Sequence, residues 1–324
     1  MKIISWCIAA CTAMVALPVQ AQKWPDKPIH WILPYAAGGP SDALVRAIAP
    51  KLSGELGVQV VVENRTGAGG NIAMLAVTKA APDGYTIGLG GTGTHAINPH
   101  LQRAIPYDVN ADFTPISPIV SYVNVLVVNN SVPAKTVGEL VAYAKKNPTA
   151  VSFASGGKGT SNQLSAELLK AVTGAPMEHV PYRGCGPAMV DLIAGHVTFM
   201  FDILVTAMPQ VEAGKVRALA VTSSKRSHYA PAIPTMSESG VKGYEEAGND
   251  LWFGIFAPAR TPAPVVDRLH AAVVKAMNST EIGERLRSQS YDKWTLPPKE
   301  FAAFVANDHR KWGKVIEATK IEKE

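Results

Sequence analysis

The chain has 324 residues, with 31 Lys and Arg against 26 Asp and Glu, for a formal charge of +5. Basic residues never run beyond adjacent pairs such as Lys145-Lys146, which excludes a nucleic-acid stripe and a polybasic membrane patch. Three cysteines, two of them at Cys7 and Cys11, exclude a disulfide framework.

Met1–Ala21 has the build of a secretory signal. Lys2 supplies the positive start, Ile3–Leu17 the apolar stretch, and Val19-Gln20-Ala21 a small-residue cleavage site. Cleavage is expected after Ala21, giving an exported chain whose sole cysteine is Cys185. The apolar stretch is too short for a membrane span. Ile8-Ala9-Ala10-Cys11 has the look of a lipobox but falls too early in that stretch, so lipidation is the weaker reading.

Beyond the signal the pattern is strand then helix, repeatedly. Strand Ile29–Leu33 precedes a helix over Ser41–Leu56, with Ser41 as N-cap and Leu44, Val45, Ile48 and Leu52 as its buried stripe. Pro50 predicts a kink or break there. Strand Val58–Glu63 leads to helix Asn71–Ala80, and strand Thr86–Leu89 follows. The long β-branched run Ile116–Val128 is expected to pass from one sheet to another. Helices are then expected over Val137–Lys146, Thr160–Val172, Pro187–Ala194 and a stretch ending at Gly214. Strands are expected at Val151–Ala154, Glu178–Val180, Val197–Phe201 and Ala218–Val221. Leu251–Phe256 reads as a second apolar strand, and Ala263–Met277, Glu281–Ser288 and Pro298–Ile316 as helices.

Such alternation predicts an α/β chain with parallel sheets covered by helices on both faces. The two long apolar strands predict a discontinuous two-domain arrangement with a two-segment hinge, 22–123 plus 249–324 forming one lobe and 124–248 the other. Ligands in such folds sit outside the carboxyl ends of strands, often between domains.

The chemistry lies in the loops. Pro34-Tyr35-Ala36-Ala37-Gly38-Gly39-Pro40-Ser41-Asp42 and Asn64-Arg65-Thr66-Gly67-Ala68-Gly69-Gly70-Asn71 each link a strand to a helix. Each presents backbone N–H groups and a helix N-terminus to an anion. Gly88-Leu89-Gly90-Gly91-Thr92-Gly93 has dinucleotide spacing, but Asn98-Pro99 interrupts the helix that motif needs, and the nucleotide reading is set aside. It reads instead as a third loop, with Thr92, Thr94 and His95 open to a ligand or a neighbouring loop. Ser155-Gly156-Gly157-Lys158-Gly159-Thr160-Ser161-Asn162 is no Walker motif, since Gly159 follows its lysine, yet it still offers a strand–glycine loop–helix anion site. Thr160 or Ser161 reads equally as an N-cap there. In Val180-Pro181-Tyr182-Arg183-Gly184-Cys185-Gly186, Arg183 suits either a ligand carboxylate or a solvated rim. Asp202 suits either a ligand donor or the cap of the next helix. Hydrolase signatures and metal-ligand spacing are absent, so neither a cofactor nor a metal is expected, and Cys185 reads as a packed thiol.

The chain resembles the Bug receptors of tripartite tricarboxylate transporters. The resemblance runs through Trp24-Pro25-Asp26-Lys27-Pro28-Ile29, the two glycine loops, Ala81-Pro82-Asp83-Gly84-Tyr85-Thr86, Asp112-Phe113-Thr114-Pro115-Ile116, Val180–Gly184 and Leu219–Ser227. It implies a periplasmic two-lobed receptor, expected as a monomer, that closes on a small carboxylate and hands it to membrane permease subunits without chemical change. It implies that Tyr35, Ala37, Gly38, Gly39, Ser41, Asp42, Ala68, Gly69 and Asn71 lie in the two loops that grip one carboxylate through backbone N–H groups and ordered waters, with Thr92 a further ligand candidate from the third loop. Ser155, Thr160, Asn162, Tyr182, Arg183 and Asp202 would read the rest of a di- or tricarboxylate, acidic amino acid or aromatic acid. Gln163, where such receptors often carry histidine, and Cys185, in a loop usually built of small residues, depart from the pattern. A receptor feeding a membrane sensor kinase is the alternative, and an exported enzyme a weaker one.

Overall fold

The computed structural model describes residues 24–244, 251–321 and 323. The expected signal segment and the expected lobe boundary at 248–249 lie outside the described residues. Eleven strands among the described residues form two sheets. The first has the order β11-β4-β10-β3-β1-β2, built from Ile29–Leu33 (β1), Val60–Asn64 (β2), Thr86–Gly91 (β3), Phe113–Tyr122 (β4), Leu251–Pro258 (β10) and Asp292–Lys293 (β11). The second, β7-β6-β8-β5-β9, is built from Asn124–Asn129 (β5), Ser152–Ser155 (β6), Glu178–Pro181 (β7), Phe199–Ile203 (β8) and Val216–Val221 (β9).

The long apolar run does cross between sheets, leaving the first at Tyr122 and entering the second at Asn124. Leu251–Pro258 lies in the first sheet, buried along its whole length between β3 and β4. A strand covered on both faces tolerates only a continuous apolar run, which is why its sequence lacks alternation. The sheets are mixed, not parallel as expected. β10 runs antiparallel to β3 and β4, and β5 runs antiparallel to β8 and β9. The expectation came from strand–helix alternation, which holds for β1–β3 and for β6–β8. It fails for the strands on which the chain enters and leaves a sheet, because these arrive from the opposite direction.

Helix α1 (Pro40–Leu56) buries Leu44, Val45, Ile48 and Leu52 as expected, and α2 (Asn71–Thr78) follows the second glycine loop. Pro50 does not break it. The residue is exposed, so the carbonyl deprived of a partner lies toward water, and packing of the opposite face carries the helix on to Leu56. Gly57, left-handed at φ 77°, ends it by donating to Ser53 O. Ser41 is not the N-cap. Gly39 holds that position with Pro40 as the first helical residue, and Asp42 Oδ2 accepts the Gly38 N–H at 2.9 Å. Thr92–Ile97 is a buried wide-turn helical segment rather than an open loop, and it runs directly into α3 (Asn98–Leu101).

The second sheet carries α4 (Val137–Lys146), α5 (Ser161–Thr173), α6 (Cys185–Ala194) and α7 (Leu204–Glu212), each following a strand of that sheet. Residues 263–319 add the helices Ala263–Met277, Thr280–Ser288 and Pro298–Thr319. Their contacts fall mainly on the first sheet and on α1. Among the described residues no helix is long and apolar enough to cross a membrane.

Candidate functional site

The first loop leaves β1 and enters α1 with its shape set by one buried carboxylate. Asp42 accepts from Gly38 N, from Arg46 Nε at 2.9 Å, and from Asn64 Nδ2 at 3.0 Å. Burial pushes the Asp42 pKa up, but these hydrogen bonds outweigh it and hold the carboxyl below its ordinary range. Asn64 also donates to Tyr35 O, so the end of β2 clamps the loop after β1.

In the second loop Gly67, Ala68, Gly69 and Gly70 all have positive φ. These left-handed residues curl the loop into a tight turn, closed by Gly70 N–H donating to Gly67 O at 3.0 Å. Gly69 is required by proximity as well. A Cβ there would lie 2.2 Å from Lys158 O, in the glycine loop of the other sheet. Asn71 braces the loop: it donates to Gln102, and its Oδ1 accepts from Asn98 Nδ2 at 2.9 Å and from Tyr107 OH at 2.8 Å. Thr92 Oγ1 accepts the Trp252 N–H at 3.0 Å, tying the end of β3 to β10.

On the opposite side Thr160 caps α5 by accepting Gln163 N–H, and its hydroxyl donates to Gly157 O at 2.7 Å. Gln163 Oε1 accepts Gly159 N–H at 2.6 Å, so the residue standing in for histidine shapes its own loop. Ser155 accepts the Gly157 N–H and lies 2.7 Å from His179 Nε2. Asn162 Oδ1 accepts the Cys185 thiol, and its amide nitrogen is buried with no protein partner. Tyr182 donates to Asp191 at 2.7 Å. Asp202 accepts Ile203 N–H and the Thr206 hydroxyl. Burial nevertheless pushes its pKa up to about 6, against the lowering by Thr206, Cys185 and Ile203. The Cys185 thiol is itself pushed well up, by burial first and by Asp202 second.

Two spaces that share Tyr35, Gly156, Thr160 and Arg183 in their walls lie between these loop sets. An inner cavity of about 180 Å³ is enclosed by the 35–41 loop, the first turns of α5 and α6, and Tyr122, Ile203 and Phe253. A wider cleft of about 630 Å³ lies beside it, between the 66–70 loop and the 156–158 and 181–184 loops. Of the expected ligand residues, Tyr35, Ala37, Gly38, Gly39, Ser41, Thr160, Asn162 and Arg183 line the inner cavity. Ala68, Gly69 and Tyr182 line the outer cleft, together with Tyr35, Thr160 and Arg183. Asp42, Asn71, Thr92, Ser155 and Asp202 line neither space, and their polar groups are committed to the braces described above.

Three lining residues escaped the sequence reading: Tyr122, Ile203 and Phe253. Tyr122 stacks on Phe253 with ring centroids 4.8 Å apart, and Tyr35 meets Phe253 edge-on at 6.2 Å. Their signal was their place at or beside the chain crossings, where strands pass the cleft.

The first turns of α1, α5 and α6 thus meet at one small space between two sheets. Among the described residues no cluster of three or more His, Cys, Asp or Glu could hold a metal. This is the construction of a solute receptor. The model of the tripartite tricarboxylate transporter family receptors matches residues 44–321, and the chain belongs to that family. Protein BugT of Bordetella pertussis is 35% identical over 313 residues, covering 96% of this chain and 95% of BugT. The R. palustris protein Rpa4515, solved with adipate, superposes with a TM-score of 0.86 at 35% identity, covering 92% and 99% of the two chains. MatC of Rhodopseudomonas palustris, solved with bound malate, gives 0.84 at 31% identity, covering 90% and 100%. The fold is accordingly the two-domain α/β fold of periplasmic binding proteins, with mixed sheets.

Proposed function

We propose that this chain is a periplasmic receptor that encloses a small organic acid between two lobes and delivers it unchanged to membrane permease subunits. The lobes in this reading are 22–123 plus 249–324 and 124–248, with Met1–Ala21 removed on export. The observation that carries it is the inner cavity. Three helix N-termini reach it, and Asn162, which lines it, keeps a buried amide nitrogen unpartnered. A buried donor left unmade costs about 1–3 kcal/mol, and a carboxylate oxygen relieves that cost. Adipate in Rpa4515 and malate in MatC support the same ligand chemistry.

The side chains favour binding without turnover. Of the lining groups, Cys185 is held as a thiol by its burial, and the Thr160 hydroxyl is engaged in capping α5 and donating to Gly157 O, which favours binding over nucleophilic attack. A grip by neutral N–H groups also lets cargo leave, as transport requires.

The test is a calorimetric and thermal-shift screen of the purified mature protein against organic acids. A tight ligand at 100 times its dissociation constant raises stability by about 2.7 kcal/mol. Asn162→Leu should weaken every binding acid at least tenfold while keeping a cooperative melt. Wild-type affinity in that variant, or conversion of a bound acid to product, would refute the reading.

A further inference from the structure

Helices at the surface of a soluble domain turn charge outward, and α4 and α5 do so with Glu139, Lys145 and Lys146, and with Lys170. Two helices break that pattern. α2 has no charged residue in its eight, and α6 has only Asp191 in its ten. A helix apolar on every side belongs in a core, yet both lie at the surface. On α6, Gly186, Pro187, Val190 and Ala194 are exposed at the spacing of one face, while Ala188, Met189 and Leu192 are buried on the other. Asp191 does not make the exposed face polar, because its carboxylate is taken up by Tyr182 and His196. On α2, Ile72 is exposed, with Leu75 and Ala76 half-buried beside it. Val190 is 64% and Ile72 51% exposed, and each continues an apolar face rather than standing alone on a polar one.

Both faces begin at the ligand spaces. Gly186 and Pro187 line the inner cavity, one turn before Val190. Ile72 follows the 66–70 loop that lines the wider cleft, and a Cβ on Gly67 would lie 2.6 Å from its Cδ1. α2 packs on β1, β3 and β10, and α6 on β5, β6 and β8. The two faces therefore belong to different sheets and stand on opposite lips of the cleft.

Resting on the transport reading above, we propose that the outer faces of α2 and α6 together form the surface that docks on the membrane permease, one half from each lobe. Its occupant is an apolar periplasmic patch of the permease subunits. A protein that takes the ligand must seat over the mouth of the cleft, and these faces border that mouth. A second copy of the chain seated there would block exchange of the ligand. A lipid surface fits poorly, because neither helix carries the Lys, Arg or Trp that hold a helix at a membrane interface. Each half is small, so the full patch depends on how the lobes are placed, and docking reads the same closure that holds the ligand.

Photo-crosslinking in the native host tests this, with p-benzoylphenylalanine replacing Ile72, Val190 or, as a control on α4, Lys145, and the captured protein identified by mass spectrometry. Positions 72 and 190 should capture an integral-membrane permease subunit roughly tenfold or more above position 145. Ile72→Glu should lower capture from position 190 by about tenfold, as expected where a few anchors dominate an interface. Purified Ile72→Glu and Val190→Glu should keep the wild-type melt and the wild-type thermal shifts with adipate, malate and benzoate. Equal capture at position 145, or capture of a second copy, would overturn the docking surface. So would capture at neither 72 nor 190 by a chain whose melt shifts with one of these acids, and the receptor reading would then stand. No shift with any acid and no permease capture at any position would remove the receptor reading and the docking surface with it.

Discussion

The two sheets present their loops to the cleft by different means. On the first sheet the amide and carboxylate side chains of the loops are engaged internally. Asp42 shapes the 34–42 loop, Asn71 and Asn98 shape the 64–71 loop, and the cavity wall there is mostly backbone, with the hydroxyls of Tyr35 and Ser41. On the second sheet capacity is left over. Asn162 keeps a donor unpartnered, Arg183 reaches solvent, and Cys185 adds a buried thiol to the wall. Backbone donors cannot tell one carboxylate from another, whereas side chains can. On the proposed function, the first sheet would supply a generic grip and the second the discrimination.

The same division shows in the response to pH. His95, on the first sheet's side, is buried against Phe256 with its pKa lowered from 6.5 to about 3, by burial first and by His309 second. A histidine pKa depressed by folding contributes stability that is present above the unfolded value and lost as pH falls toward the folded one. Stability should fall between pH 6.5 and 3, by at most ~5 kcal/mol from this group. In denaturant melts across that window, His95→Phe should lose distinctly less than the wild type. Equal losses would assign acid sensitivity elsewhere.

Asp202, on the second sheet, has the opposite sign. Its pKa is raised from 3.8 to about 6, so stability is full below 3.8 and declines as pH rises through 6. Asp202→Asn should be more stable than wild type at pH 8, by at most ~3 kcal/mol, with the gain gone at pH 4. A gain that does not vary with pH would contradict this. The smallest effect belongs to Arg183. As a screened rim charge, Arg183→Ala should lower affinity no more than about threefold, and less at high salt. A tenfold loss that persists at high salt would place its guanidinium on the ligand.

The elements themselves were largely legible in the sequence. Helices Val137–Lys146 and Ala263–Met277 fall where apolar spacing put them, and the Ile116–Val128 crossing is visible in its β-branched run. Strand direction was not legible, because local periodicity says which residues are buried and nothing about which neighbour a strand meets. That is why β10 came as an antiparallel insertion. The loops were found for a sound reason, but their side chains were read too generously. Asp42, Asn71 and Thr92 sit in anion-receptive loops, and only Arg46, Gln102, Tyr107 and Trp252, distant in sequence for the most part, show them committed to bracing. Tyr122 and Phe253 were hidden for the converse reason, since an aromatic at a strand crossing reads as core until the cleft is seen.

The central claim is that the two loop sets close on the ligand together. They meet at Gly159, left-handed at φ 76°, where a Cβ would lie 1.7 Å from Asn98 Oδ1 across the cleft. Gly159→Val should therefore obstruct closure while lying outside the core of either sheet. The direct measurement is calorimetric titration of the tightest-binding acid into wild type and Gly159→Val. At least a hundredfold loss of affinity is expected in a variant that still melts cooperatively. Wild-type affinity in Gly159→Val would contradict it.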